Sequence, residues 1–155
     1  MRLLLALAVI VCLVASTATL AAVRGKEAKY VGGTIAALAE NTEGKIELAE
    51  TAAVFIAKTG TKLAIPYDMV RSLEYGQKAG RRLGVAVAVS PVFLFSKKRK
   101  HYLTIGFEDE AGRKQGAVLE LAKGIVRETL ATLETKTGKQ VEYESDDARK
   151  HSQGR

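Results

Sequence analysis

Between residues 29 and 121 the chain repeats one pattern, in which short runs with apolar side chains at alternate positions are separated by turn-forming residues. Alternation sends successive side chains to opposite faces of a strand, so each run reads as a half-buried strand. Seven follow in order: residues 29–38, 45–50, 51–58, 62–65, 70–75, 102–108 and 114–121. Ile46 and Leu48 share a face, with Glu47 on the other. Leu103, Ile105 and Phe107 point one way, Thr104 and Gly106 the other, and Val118 opposes Leu119 and Leu121. Gly32 and Gly33 suggest a bend or bulge inside the first strand. Residues 40–44 (ENTEG), 59–61 (TGT) and 109–112 (DEAG) supply turns, and residues 76–80 break the fifth strand. Pro66 cannot donate to a ladder and marks a strand end or an edge.

The period changes only at the end. Ile125, Val126, Thr129, Leu130 and Leu133 recur at helical spacing, with Arg127, Glu128 and Glu134 on the other side. The helix starts near Ala122, and Gly138 is placed to terminate it. Residues 144–155 are polar and are expected to form a disordered tail. Short links between sequential strands favour antiparallel pairing. The expected fold is mainly β with one C-terminal helix (α+β): a curled antiparallel sheet or small barrel, with the helix over its open end.

The first residues address the chain. Residues 3–23 carry no charge and follow Arg2, with a compact apolar core at 3–14 and small residues after it. This reads as an export signal over residues 1–21, cut after Ala21, with Thr19 and Ala21 as the small residues before the cut. The competing reading, an uncleaved membrane anchor, stays open because the segment is long enough to span a bilayer. Export makes the protein periplasmic or secreted. Cys12, the single cysteine, lies inside this segment, so the mature chain has no disulfide, thiolate nucleophile or cysteine metal site. The chain has 24 basic and 17 acidic side chains, a net charge of +7. An exported basic protein points to anionic lipid, cell-wall polymer or an acidic protein partner rather than nucleic acid.

The stretches "KLAIPYDMVRSLEYG", "HYLTIGFEDEAG" and "AVLELAKGIVRETLATLETKTGK" resemble bacterial pleckstrin-homology-like (PH-like) and GRAM-like domains. More narrowly, the runs "IPY", "LEYG", "KKRKHYLTI" and "LETKTGK" are similar to those of a group of uncharacterised exported bacterial proteins. The resemblance covers residues 29–143 and implies a curled barrel of antiparallel strands capped by a C-terminal helix. Phosphoinositide-binding members place basic residues in the first hairpin loop. The loop here, Glu40 to Gly44, is acidic, which argues against recognition of inositol phosphates at that place.

No residue set in the sequence reads as catalytic, cofactor-binding or metal-binding. His101 follows four cations, which oppose its protonation, and reads as a solvated residue at a strand entrance. His151 lies in the tail. Asp109 and Glu110 are explained by their turn, and Asp68 by another beside Pro66. The exception is the link between the fifth and sixth strands. Its apolar run, residues 83–95 (LGVAVAVSPVFLF), is preceded by Arg81 and Arg82 and followed by Lys97, Lys98, Arg99 and Lys100. As a helix it reaches only about 20 Å, too short to span a bilayer, and Pro91 would interrupt it. Two readings stand: a buried strand or helix with basic edges, and a segment dipping into a membrane. In the second, Arg81, Arg82, Phe93, Phe95 and the four following cations form the anionic-surface contact. The expected function is a non-catalytic exported binding module on an anionic membrane surface or a protein partner. The alternatives are a peptide-binding interaction domain and a small enzyme of unseen activity.

Overall fold

The computed structural model describes residues 26–77 and 100–153. The expected signal segment, Cys12, Arg81, Arg82, Phe93, Phe95, Lys97, Lys98 and Arg99 lie outside the described residues. Among the described residues eight strands form one open, curled sheet: β1 Lys26–Gly33, β2 Thr42–Leu48, β3 Ala52–Ala57, β4 Lys62–Pro66, β5 Val70–Gly76, β6 His101–Glu108, β7 Lys114–Leu121 and β8 Val141–Tyr143. Their order across the sheet is β4-β3-β2-β1-β7-β6-β5-β8. Two antiparallel meanders, β1 to β4 and β5 to β7, are joined where β1 pairs with β7, also antiparallel. That closing pair has the longest sequence separation in the sheet, and turn signals alone cannot specify it.

All seven expected strands are present. The first begins earlier than its apolar pattern suggests, at Lys26, and ends at Gly33. Ile35 and Leu38 belong to the loop that follows, from which Leu38 is buried in the core. The double glycine behaves as expected: the β1–β7 register shifts between Tyr30 and Gly32. Gly33 has φ +150°, and a Cβ there would lie 2.2 Å from the Gly116 carbonyl oxygen. Only glycine lets the two backbones approach this closely.

The helix α1, Val126–Thr137, follows a single 3-10 turn at Lys123–Ile125. Val126, Thr129, Leu130 and Leu133 are buried, as their spacing requires. Gly138 adopts the left-handed conformation (φ +67°) and its N–H donates to the Glu134 carbonyl, which ends the helix. Polar contacts tie α1 across the end of the sheet. Near its start Glu128 pairs with Lys26 of β1. Near its end the Lys136 ammonium donates to the Glu50 carbonyl at 3.1 Å and lies 5.6 Å from the centre of the Tyr67 ring. Val126, Leu130 and Leu133 join Tyr30, Phe55, Leu73, Ile105 and Leu119 in one apolar core.

Two elements depart from the expected fold. β8 pairs in parallel with β5, Leu73 opposite Val141, on an otherwise antiparallel sheet. Three residues are too few for a period to be read, and Glu134 of α1 fixes the start of β8 by accepting from the Val141 N–H at 2.9 Å. The expected disordered tail instead carries a second helix, α2, Asp146–Ser152. Its Ser145 cap accepts from the Ala148 N–H at 3.1 Å, acidic residues open its first turn, and basic residues close its last. Ala148 is fully buried, so one small apolar residue docks a segment whose composition is otherwise that of a solvated tail.

Candidate functional site

The basic run enters the described fold at Lys100, immediately before β6. Lys100 and Glu120 of β7 form an ion pair at 2.9 Å, with side chains 28% and 23% exposed. Pairing of Tyr102 with Glu120 places this ion pair at the edge of the sheet face that carries Tyr102, Thr104 and Val118. Of the eight residues expected to contact an anionic surface, Lys100 is the one within the described residues. Its ion-pair partner Glu120 is an acidic residue of the adjacent strand.

Tyr102 is 1% exposed, and its hydroxyl has no hydrogen-bond partner among the described residues. Burial, and then the negative charge of Glu120, push its pKa up to about 12. The phenol therefore stays neutral at physiological pH.

His101 points to the opposite face and differs from its expectation. It is half-buried, and its Nδ1 lies 2.5 Å from the Tyr75 hydroxyl. The two rings stack with centroids 6.1 Å apart. Burial lowers the His101 pKa first, followed by the positive charges of His151 and Lys123, while Glu120 opposes them. Tyr75, pushed up to about 12 by burial, is the donor and the neutral imidazole accepts. Tyr143 packs edge-on against Tyr75 at 6.0 Å, and the Arg149 guanidinium lies 5.3 Å from the Tyr143 ring. The cluster ties β5, β6, β8 and α2 together. Sequence reading missed the His101 partner because Tyr75 is 26 residues away and becomes a neighbour only through strand pairing.

The acidic candidates have structural partners. Asp109 Oδ1 accepts from the N–H groups of Ala111 (3.0 Å) and Arg113 (2.9 Å), and Oδ2 from the side chains of Arg113 (2.8 Å) and Gln115 (2.9 Å). These bonds, the backbone one first, hold its pKa down to about 2. Asp68 is exposed in the turn after β4, where its carbonyl accepts from Arg71 at 2.8 Å. In the acidic first hairpin, Glu43 pairs with Lys58 at 2.5 Å. An open cleft of about 540 Å³ beside that hairpin is lined by side chains of both signs, among them Glu27, Lys29, Lys45 and Glu120. Such a lining has no single charge preference. Among the described residues no three His, Cys, Asp or Glu side chains group as metal ligands, and no helix is long and apolar enough to cross a membrane.

Compared with known protein families and with curated proteins, the chain matches no family model and no curated sequence.

Proposed function

We propose that the protein is an exported, non-catalytic binding module of PH-like build that docks on an anionic membrane surface. The observation that carries this reading is the anchoring of Lys100. The basic run joins the sheet at a half-buried residue held by Glu120, so its charges are attached to a rigid strand rather than to a loose terminus. Each basic residue near an anionic surface contributes on the order of 1 kcal/mol before screening. Arg81 and Arg82 add to Lys97, Lys98 and Arg99, and Phe93 and Phe95 supply apolar insertion. The order of elements supports the PH-like reading: four antiparallel strands, three more, and a helix across the open end.

Vesicle flotation tests the reading. The exported protein floats with anionic vesicles at low salt and is partly released at high salt, because charges are screened beyond about 8 Å at physiological ionic strength. Changing Lys97, Lys98 and Arg99 to Ser removes the salt-sensitive part; Lys100 is kept so that Glu120 is not left unpaired. Phe93→Ser with Phe95→Ser removes the salt-resistant part. Wild-type protein that ignores anionic vesicles at low salt overturns the membrane reading. Capture of a single protein partner in its place would assign the cations to a protein surface.

A further inference from the structure

β8 and α2 together form a strap along the β5 edge of the sheet. β8 lies parallel to β5, with Leu73 opposite Val141, Glu74 opposite Glu142 and Tyr75 opposite Tyr143. Glu144 continues the contact: its N–H donates to the Tyr75 carbonyl at 2.9 Å, and its carboxylate accepts from the Gln77 N–H at 2.9 Å. Little burial holds the strap down. Val141, Ala148 and Ser152 are its buried residues, and exposed Gly138, Lys139 and Gln140 join it to α1. A short edge strand with few buried contacts opens at lower cost than the core.

The strap is seated on a histidine. Tyr143 packs against Tyr75, and the Tyr75 hydroxyl donates to His101 Nδ1. Among the described residues, the titratable and charged groups that face His101 are Tyr75 of β5, Glu120 of β7, Lys123 of the 3-10 turn before α1 and His151 of α2. Glu120 alone of these is acidic, and it already pairs with Lys100. The last turn of α2 is basic throughout, with Arg149, Lys150 and His151. A neutral imidazole suits this setting, because Nδ1 accepts from Tyr75. An imidazolium does not. Its Nδ1 becomes a donor, so the Tyr75 hydroxyl loses its acceptor. Its charge is half-buried, and it repels Lys123 on one side and α2 on the other. Lys123 belongs to the turn that leads into the core helix α1. α2 is held through the strap alone, so it is the part that yields.

We infer that the strap is a proton-operated latch: protonation of His101 releases β8 and α2 from the edge of β5 and leaves the remaining strands and α1 folded. Release bares the backbone of β5 from Leu73 to Tyr75. Linkage fixes the direction. Burial first, and then the positive charges of His151 and Lys123, hold the His101 pKa below its ordinary value while the strap is closed. Opening removes the share that α2 contributes, so the open form binds the proton more tightly. Closure is therefore full above about pH 6.5 and weakens by at most about tenfold per pH unit below it, until the closed form is itself protonated.

Hydrogen–deuterium exchange of the full chain without vesicles tests the latch, with rates corrected for the intrinsic effect of pH. Between about pH 7.5 and 5, amides of residues 141–153 lose about tenfold in protection, while those of residues 103–107 keep theirs. An NMR titration of His101 in the unaltered chain shares the midpoint of that loss. His101→Gln keeps an acceptor for Tyr75 without a titrating charge, and its strap stays closed over the whole range. His151→Gln keeps the Tyr75 bond, removes one repelling charge and reduces the loss to about threefold. Strap protection that ignores pH in the unaltered chain overturns the inference. So does a pH response that survives His101→Gln, a His101 midpoint separate from that of the strap, or core amides that open in step with the strap. If His101→Gln does not fold, the shared midpoint and the His151→Gln response decide, and failure of either overturns the latch.

Discussion

Truncating Leu130 measures how much of the fold depends on the terminal helix. Leu130 is 2% exposed and belongs to the core cluster with Phe55, Tyr67 and Leu133. Leu130→Ala removes a fully buried branched side chain and leaves a cavity that rigid sheet residues cannot fill. The cost is about 2–5 kcal/mol, offset by only a few tenths from the better helix propensity of alanine. A domain of this size has about 5–15 kcal/mol in total. At roughly 4 °C per kcal/mol, the melting temperature falls by about 8–20 °C. Circular dichroism melts and urea titrations read this directly, with an unchanged m-value showing that the folded state is the same. Lys136→Ala is the control: it loses an exposed bond to Glu50 and the contact over Tyr67, worth about 1 kcal/mol or less. A Leu130→Ala shift no larger than that of the control would mean that the helix does not close the sheet.

Three further outcomes follow from particular residues. His101 titrates below the ordinary histidine value, so the unfolded chain takes up its proton first; stability is full above about pH 6.5 and falls as pH drops from there toward the folded pKa. Its imidazole resonances in an NMR titration check the direction, and a midpoint above 6.5 refutes it. Gly33→Ala places a methyl against the Gly116 carbonyl at a φ that side chains rarely adopt; it destabilises by more than about 1 kcal/mol in urea unfolding, because the strain adds to the clash. Mass spectrometry of the exported product finds a chain beginning at residue 22, and retention of residues 1–21 in a membrane fraction identifies an anchor instead.

Local periodicity made the strands and α1 legible, because each signal sits within one element. Leu103, Ile105 and Phe107 share the core face, and Leu130 and Leu133 share the helix face, as their spacing requires. Pairings between distant segments were not legible. The β1–β7 closure, the parallel addition of β8 and the hydrogen bond of Tyr75 to His101 depend on which strands become neighbours. α2 was hidden for another reason. Its cap Ser145 and its charge gradient are visible in SDDARKHSQGR, but a seven-residue helix is marginal alone and needs the burial of Ala148 to form.

The face of β6 and β7 away from the core shows where alternation stops being informative. Alternation set Thr104 and Gly106 opposite Leu103, Ile105 and Phe107, and Val118 opposite Leu119 and Leu121, and the core takes the second member of each set. Alternation did not tell whether the other face is wet. Composition was the remaining clue: Tyr102 and Val118 are poor choices for a solvated face, whereas Lys45 and Glu47, on the far face of β2, are good ones. An apolar sheet face left bare in water would be unfavourable by roughly 25 cal/mol per Å² of exposed apolar surface. The ion pair of Lys100 with Glu120 marks where the apolar part of this face gives way to its polar rim.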